Sequence, residues 1–386
     1  MVHRGMRVVV IGAGVVGASA AFHLAARGVR DLVVVDRAPG PGEGSSGRAT
    51  GGFRAQFAEA IDVRLSLLAR DKLRRFTDEV GGDPGYEPRG YLWLAETDDQ
   101  LAALRAARAV QEAEGLGEAV EVSPDDIRRL SPGVDAAGAI GGAYCPTDGF
   151  IRPLAILDGY LAAACRLGAR VEWGAEVIAL ERRGDRIAAV STARERLAAD
   201  VVVNAAGPWA APVAALAGID VPVAPLRRQV LPSQPQTALS PATPMTIFPD
   251  GFHLRVRADR RVLLLWPDPA PVGFDTAVDP AWIDAVTAMT RARVPALAGV
   301  ALDPAAAWAG LYEMTPDRHA LVGAAPGCAN LFLVNGSSGH GAMHAPALGH
   351  LIADLVTGAT PPFDLSPLRP SRFAGSTAAP GSATGL

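Results

Sequence analysis

The sequence contains almost no lysine and very little cysteine. Among 36 lysine and arginine residues in a chain of 386, only Lys72 is a lysine, a bias typical of a GC-rich genome. The three cysteines, Cys145, Cys165 and Cys328, lie far apart. They match neither a metal-binding spacing nor a disulfide framework. We therefore predict no metal site, and thiols that behave as small buried hydrophobic residues in a reducing compartment.

Clustered charge and uninterrupted apolar runs are also missing. The formal net charge is −4, whereas a sequence-independent nucleic-acid binder needs a clustered positive field. Residues 201–219 lack charge but contain Asn204, Pro208 and Pro212, which break a helix and leave polar groups unsatisfied in lipid. The N-terminus shows no signal-peptide pattern. These absences predict a soluble cytoplasmic protein with no membrane span and no nucleic-acid partner.

Residues 6–36 show a strand, a glycine-rich turn, a helix and a second strand. The strands are apolar and β-branched, as expected for strands buried on both faces. The turn is Gly12-Ala13-Gly14-Val15-Val16-Gly17, a GxGxxG motif. In such a motif the first glycine permits the tight turn, the second lets the backbone approach a pyrophosphate, and the third lets helix and strand pack closely.

The second strand ends in Asp36, at the spacing of about 20 residues expected for the acid of this fingerprint. Asp36 would accept hydrogen bonds from ribose hydroxyls, and the helix N-terminus would stabilise the diphosphate charge. The motif with its acid predicts a bound dinucleotide. It does not separate FAD from NAD.

Two further glycine-rich segments favour FAD. Residues 200–209 form a strand that runs into a turn of small residues, similar to the second glycine motif of two-dinucleotide-type flavoproteins. Residues 336–344, Gly-Ser-Ser-Gly-His-Gly-Ala-Met-His, precede a helix expected over 346–357. Their backbone N–H groups could cradle a flavin and place a positive helix end near its pyrimidine ring.

The remaining pattern predicts an α/β chain, α+β overall. A Rossmann-like FAD-binding domain is assembled from residues 1–78, 140–215 and 306–365, and a substrate domain with a mainly antiparallel sheet comes from 79–139 and 216–305. Gly and Pro indicate a loop over 131–149, and a hairpin is expected near Asp259. The small-residue composition of the tail predicts disorder over 366–386.

These motifs together resemble the D-amino-acid oxidase superfamily of FAD-dependent oxidoreductases, closest to its sarcosine oxidase β-subunit, L-proline dehydrogenase and glycine oxidase branch. The matching stretches are the N-terminal fingerprint, 45–57, 90–94, 148–149, 309–317 and 335–346. The resemblance implies FAD-dependent oxidation of a small amine or amino acid at its C–N bond, by hydride transfer to flavin N5. The imine is the product. Whether the chain forms a homo- or hetero-oligomer is left open.

The resemblance also implies four catalytic residues. Arg54 matches an arginine that holds the substrate carboxylate, a pairing that suits a buried anion because guanidinium binds it bidentately. Tyr312 matches a pocket tyrosine whose hydroxyl reaches the substrate, and His340 lies in the turn at the flavin. His253 falls where relatives often place an aromatic residue above the flavin. A half-buried strand histidine without a catalytic role is an equally open interpretation of His253.

FAD contacts are implied along the same stretches. The residues are Gly12, Gly14, Val15, Val16, Gly17, Asp36, Arg37, Ser45, Ser46, Thr50, Gly51, Gly52, Val177, Ala206, Gly207, Trp209, Gly310, Ser338, Gly339, His340, Gly341, Ala342 and Met343.

Three positions depart from the family pattern. Gly310 replaces a cysteine that tethers FAD in monomeric sarcosine oxidases, and Pro153 replaces a histidine that carries covalent FMN in the heterotetrameric β-subunit. Met343 replaces a lysine that helps to bind carboxylate. We therefore expect one non-covalent FAD, no FMN, and a carboxylate site that depends on Arg54 and on groups that the sequence does not identify.

Two other functions stay open: FAD-dependent oxidation of a 2-hydroxy acid, and a non-catalytic FAD-binding assembly factor. Arg54 and Tyr312 argue against the second. The electron acceptor is O₂ or a quinone or other acceptor. In several amine oxidases of the superfamily a lysine above flavin N5 speeds the reaction with oxygen by stabilising superoxide. Lys72 lies in a charged helix, so we predict slow use of oxygen unless Arg255 or His253 replaces that lysine.

Overall fold

The computed structural model describes residues 5–267 and 272–374. Its α-helices are α1 (Val15–Ala26), α2 (Ser45–Arg48), α3 (Ala60–Arg74), α4 (Phe76–Glu79), α5 (Asp98–Ala113), α6 (Pro124–Leu130), α7 (Pro153–Arg166), α8 (Ala210–Ala215), α9 (Pro280–Arg293) and α10 (Gly341–Thr357). Its strands are β1 (Arg7–Ile11), β2 (Asp31–Asp36), β3 (Gly52–Phe53), β4 (Tyr91–Ala95), β5 (Val120–Val122), β6 (Gly141–Cys145), β7 (Gly149–Phe150), β8 (Arg170–Trp173), β9 (Val177–Arg183), β10 (Arg186–Thr192), β11 (Arg196–Ala198), β12 (Val201–Asn204), β13 (Ala224–Pro232), β14 (Met245–Ile247), β15 (His253–Val256), β16 (Val262–Leu265), β17 (Trp308–Met314), β18 (Leu321–Ala324) and β19 (Leu331–Asn335).

One sheet forms the nucleotide-binding part, in the strand order β18-β19-β12-β1-β2-β8. β1 pairs in parallel with β2 and β12, and only β18 runs antiparallel to its neighbour among these strands. The carboxyl ends of the parallel strands therefore meet at one edge, where open α/β sheets bind their ligands.

Both faces of this sheet are buried because its strands are apolar at successive positions. Val8 and Val10 pack with α1, α3, α7 and α10 on one face. Val9 and Ile11 pack on the other face with the small sheet β9–β11 and with α8. Because both faces are covered, the sequences of β1 and β2 are continuously apolar and do not alternate between apolar and polar residues.

A second sheet, in the order β17-β13-β16-β15-β14-β4-β6-β5, forms the substrate-binding part. Its outer face carries Leu92, Leu254 and Leu264, which pack against α6 and α9. Because successive strand residues point to opposite faces, the neighbouring positions of the same strands face inward. Its inner face is directed at the edge of the first sheet.

The fold class predicted from the sequence is confirmed. The division of the chain into two domains stays a prediction; β6 and β17, which fall within the segments expected to bind FAD, lie in the second sheet. β6 pairs with β4 and β17 pairs with β13. β6 also occupies part of the loop expected over 131–149, because its glycines fit between β4 and β5 where a side chain on Gly142 would meet the Trp93 carbonyl at 2.2 Å.

Two expectations about the last part of the chain need correction. α10 begins at Gly341, and Pro346 lies inside it rather than at its start. Residues 366–374, expected to be disordered, form two short 3₁₀ turns in which Leu368 and Pro370 are buried and Arg372 pairs with Asp317. The rest of that expected tail, 375–386, lies outside the described residues. In the described part of the chain, no helix has the length and apolarity needed to cross a membrane.

Candidate active site

A cavity separates the carboxyl edge of the first sheet from the inner face of the second. All four candidate catalytic residues, Arg54, Tyr312, His253 and His340, line it. So do most of the expected FAD contacts: Gly14, Val15, Val16, Ser45, Ser46, Thr50, Gly51, Gly52, Gly207, Gly310, Ser338, Gly339, Gly341, Ala342 and Met343. The folded chain thus brings together residues that span more than 300 positions of sequence.

The fingerprint glycines divide into two kinds. A Cβ on Gly12 would lie 2.4 Å from the Ala205 carbonyl oxygen, and a Cβ on Gly17 would lie 1.9 Å from the Gly12 carbonyl oxygen. The protein itself therefore excludes side chains at both positions. A Cβ on Gly14 would meet only Ser46 Oγ, at 3.4 Å. The bare backbone at Gly14 is open to the cavity, as an approaching pyrophosphate requires.

Two helices present their N-termini to the cavity. α1 follows Gly14 and α10 follows His340, and neither helix has a side-chain cap or an acidic residue in its first turn. In α1 the Val15 amide donates to Ser46 Oγ at 3.0 Å. The positive ends of the two helices suit a diphosphate and a negatively charged ring. Asp36 Oδ2 accepts from the Ala13 amide at 2.7 Å. This bond fixes the carboxylate beside the glycine turn.

Seven expected cofactor contacts do not line the cavity itself. They are Gly12, Gly17, Asp36, Arg37, Val177, Ala206 and Trp209. The Arg37 guanidinium stacks on the Trp209 ring at 4.2 Å, and Trp209 stacks on the partly exposed Phe274. Val177 starts β9 and packs against the core on the far face of the sheet. Their roles toward FAD stay predictions.

The buried Arg54 guanidinium contacts two aromatic rings and a histidine. Its guanidinium lies 4.3 Å from the centre of the Phe57 ring and 4.9 Å from that of Trp93. Arg54 Nη2 donates to His340 Nε2 at 3.0 Å, so that nitrogen carries no proton. Burial lowers the pKa of Arg54, and burial together with the Arg54 charge holds the pKa of His340 well below its usual range. Within the described residues Arg54 has no carboxylate partner.

His253 is also neutral, and its hydrogen bond fixes its tautomer. His253 Nδ1 lies 2.9 Å from the Gly251 carbonyl oxygen. A carbonyl only accepts, so Nδ1 carries the proton and Nε2 keeps its lone pair. Burial lowers the pKa of His253 to about 4, despite the opposing hydrogen bond to Gly251. His253 therefore offers an acceptor on the cavity wall at neutral pH.

The inner face of the second sheet supplies wall residues that the sequence did not identify. Apart from His253 and the β17 residues, the inward positions on its central strands are mostly apolar or aromatic: Tyr91, Trp93, Val230, Met245, Ile247 and Leu265. The period-2 alternation of β4 and β14 was the available signal, since it puts these positions opposite the leucines of the outer core.

Glu313 is the other residue that the sequence did not identify. It lies between the 207 turn and the 337–341 turn, where its Oε1 accepts from the Ser337 amide at 3.2 Å. Oε2 is buried without a partner in the described structure, and burial raises the pKa of Glu313. Both side-chain atoms of nearby Asn335 are unpaired as well. Unpaired buried polar atoms of this kind are rare in proteins unless a ligand or water completes them.

The bare Gly14 backbone, the two helix N-termini without acidic residues and the unpaired Glu313 oxygen fit a dinucleotide with an extended polar linker. Gly14, Val15 and Ser46 would hold the diphosphate. The 338–341 turn and α10 would hold the ring system.

Comparisons with known proteins agree with this geometry. The chain matches the family described as DAO, FAD dependent oxidoreductase, over residues 7–355. It is 30% identical over 380 residues to a glycine oxidase of Pseudomonas aeruginosa, covering 95% of this chain and 98% of that protein. The crystal structure of an L-proline dehydrogenase from P. horikoshii superposes with a TM-score of 0.87 at 26% identity, covering 95% of this chain and 97% of the other.

Longer proteins also match. A 4-methylaminobutanoate oxidase (formaldehyde-forming) of Paenarthrobacter nicotinovorans is 28% identical over 96% of this chain, which spans only 46% of that relative. The chain thus spans less than half the length of such relatives. The chain belongs to the DAO family of FAD-dependent oxidoreductases, and the superfamily resemblance drawn from its motifs is confirmed.

Proposed function

We propose that this protein oxidises a small amine or amino acid at its C–N bond, by hydride transfer from carbon to the flavin N5, giving an imine. The observation that carries the proposal is the buried Arg54 guanidinium without a carboxylate partner. An isolated buried charge is costly unless an anion pairs with it. A substrate carboxylate would supply that anion. The names of the matched relatives, which act on glycine, proline and a methylamino acid, support the amine class.

When bound, FAD supplies the two-electron acceptor. The chain must orient the substrate, exclude water and keep the amine neutral, because a protonated amine has no lone pair to assist hydride loss. A buried cavity that already holds the Arg54 cation lowers the pKa of a bound ammonium group. His253 Nε2 would accept a hydrogen bond from the neutral amine and orient its lone pair. Tyr312 faces the same space and would contact the substrate from β17.

We further propose that FAD is held without a covalent bond. Gly310 has no side chain to react, and a Cβ there would already lie 3.0 Å from Arg48 Cβ. Pro153 occupies the first turn of α7 and offers no nucleophile. Acid precipitation should therefore release all the yellow chromophore as FAD. Flavin that stays with the precipitate would contradict this part of the proposal.

Anaerobic reduction of the bound flavin tests the function directly. The purified yellow protein would be mixed with sarcosine, glycine, proline, D-amino acids and N-methyl amino acids, and with matched 2-hydroxy acids. Bleaching by an amine and not by its 2-hydroxy analogue is the expected result. Bleaching only by hydroxy acids would make the protein a 2-hydroxy acid dehydrogenase. Bleaching by neither class would favour the non-catalytic FAD-binding alternative.

The proposal includes slow reaction with oxygen and faster turnover with a quinone or dye, in a cytoplasmic protein. Lys72 is not on the cavity wall: it lies on α3 and pairs with Glu79. Arg255 stacks on Phe150 behind Gly51, outside the cavity wall. Stopped-flow mixing of the reduced protein with oxygen tests this. Reoxidation as fast as substrate turnover would make the protein an oxidase.

A further inference from the structure

Trp93 carries a buried hydrogen-bond donor that the protein leaves unused. It lies on β4 with its side chain on the cavity wall. Its indole Nε1 is buried and has no acceptor within the described residues. An indole nitrogen can only donate, and buried tryptophan N–H groups normally find a partner. Apolar packing alone therefore does not account for a tryptophan at this position.

The same part of the wall holds the second set of unused donors. The Arg54 guanidinium lies 4.9 Å from the centre of the Trp93 ring. Of its five N–H groups, the one hydrogen bond that is formed goes to the neutral His340. The guanidinium thus lies against the face of the Trp93 ring, and the described protein atoms around the two side chains provide no anionic acceptor.

Their neighbours on β14 are apolar, whereas Tyr91 and Tyr312 add hydroxyl groups to the same wall. Ile247 pairs with Trp93 in the sheet register, and Met245 pairs with Tyr91. All three of Trp93, Met245 and Ile247 line the cavity. Met343, at the position where relatives place a carboxylate-binding lysine, supplies no donor. A ligand oxygen beside Arg54 would have Trp93 Nε1 as a further donor, in addition to the hydroxyls of Tyr91 and Tyr312 on the same wall.

We propose that Trp93 Nε1 donates a hydrogen bond to the substrate carboxylate that Arg54 binds. This inference rests on the proposed function to the extent that the substrate is a carboxylate. The carboxylate would then be bound by one charged and one neutral donor, where the family pattern has an arginine and a lysine. The adjoining apolar wall of Met245 and Ile247 suits an uncharged substituent on that substrate.

The test compares Trp93→Phe with Trp173→Phe in the flavin-loaded protein. Trp93→Phe removes the N–H and keeps an aromatic ring, whereas Trp173 lies on β8 outside the cavity wall. Propanoate and propan-1-amine, which differ in the carboxylate, are titrated while the flavin absorbance reports binding. We expect Trp93→Phe to weaken propanoate binding roughly tenfold or more. Propan-1-amine binding should stay unchanged, and Trp173→Phe should change neither.

Other outcomes would overturn the inference. They are an unchanged dissociation constant for propanoate, equal weakening of both ligands, or no propanoate binding by the parent protein. A double-mutant cycle with Arg54→Lys tests for an indirect effect. If both residues contact the same carboxylate, the effects of the two substitutions on the binding free energy should not be additive. Binding is measured without turnover. Failure of every amine to bleach the flavin would therefore contradict the proposed function. The propanoate titrations would still show whether Trp93 contacts a bound carboxylate.

Discussion

Gly14 is the fingerprint residue whose missing side chain the protein does not itself explain. A Cβ there would contact only Ser46 Oγ, and the backbone of Gly14 is in an extended conformation that any residue adopts. We expect Gly14→Val to fold but to lose bound flavin, because its side chain would occupy the approach of the pyrophosphate. The ratio of flavin to protein absorbance measures this.

Gly117→Val is a matched control, since a Cβ on Gly117 would meet nothing within 4 Å. It should keep a full complement of flavin. A fully loaded Gly14→Val protein would show that the cofactor does not pass over this backbone.

Arg54 is the second residue whose surroundings lead to a prediction. Arg54→Ala should raise KM for an amino-acid substrate far more than for the matching amine without a carboxylate. Removing one partner of a buried charge pair costs of order 3–5 kcal/mol, which corresponds to at least a hundredfold in KM when KM reports binding. Steady-state kinetics on both substrates measure the difference. Arg129→Ala, on the exposed side of α6, serves as the control.

An equal effect of Arg54→Ala on both substrates would assign Arg54 a structural role through its stacking on Phe57.

For single residues, the sequence was informative at positions that match a functional residue of the family. Arg54, Tyr312, His253 and His340 were all found on the cavity wall, although their roles stay proposals. Trp93 and Glu313 were not predicted, even though each lies in a matching stretch. A tryptophan on an apolar strand looks like core, and a glutamate on a strand looks like a solvent-facing residue. Only the folded structure shows that their polar atoms are buried without partners.

Among the elements, the segment that carries Arg54 is held by a buried acid. Asp148 Oδ1 accepts from the Ala55 amide at 2.8 Å, and its Oδ2 accepts from Gln56 Nε2 at 3.1 Å. Burial raises the pKa of Asp148 to about 6, even though these bonds and Arg54 oppose the shift. The carboxylate thus ties the chain after β3 to the start of β7.

Asp148→Asn should loosen this connection, because an amide NH₂ would face N–H donors. We expect a loss of about 1–3 kcal/mol in the free energy of unfolding, together with a higher KM for carboxylate substrates. Urea unfolding and kinetics on the same preparation measure both. Asp284→Asn, on the exposed face of α9, should change neither. Unchanged stability of Asp148→Asn would mean that other contacts fix this segment.

Local sequence patterns predicted individual helices and strands. They did not predict which strands pair when the partners are distant in sequence. The β1–α1–β2 unit and the β15–β16 hairpin were found where expected, because each depends on neighbours in sequence. The sequence did not show that β6 and β17 join the second sheet, since their partners β4 and β13 are far away along the chain. α10 starts five residues before Pro346, which therefore lies inside the helix, where a proline removes one backbone hydrogen bond and would not be expected from local pattern alone. The Ser123–Asp126 capping box was a usable signal for α6.

For the whole molecule, the histidines predict how stability depends on pH. Burial is the largest cause of a lowered pKa in five of them: His23, His253, His340, His344 and His350. A histidine with a lowered pKa in the folded state takes up its proton on unfolding as the pH falls below about 6.5. Acidification from pH 7 toward pH 4 should therefore destabilise the fold.

Asp148, Glu313 and His319 oppose this trend, because the folded state binds their protons first. Burial raises the pKa of the two acids, and the hydrogen bond to Asp62 raises the pKa of His319. The histidines outnumber them. Each net proton lowers the free energy of unfolding by about 1.4 kcal/mol per pH unit. Urea midpoints at pH 7.5, 6.5 and 5.5, at constant ionic strength, measure the slope. His253→Asn should reduce the slope of the unfolding free energy against pH by the contribution of about one proton. An unfolding free energy that rises toward pH 5.5 would contradict the expected effect of the histidines.

The strand order of the first sheet determines when during synthesis the cavity can form. β1 is completed by Ile11, but Val201 in β12, the register partner of Val8, lies 193 residues after Val8. β19 joins only with residues 331–335. The turn before α10 follows that strand directly. During synthesis, the chain thus has the GxGxxG turn before it has the opposite wall of the cavity. FAD would therefore be captured only after the turn before α10 has been made, and scarcity of flavin would prolong the exposure of the cavity walls.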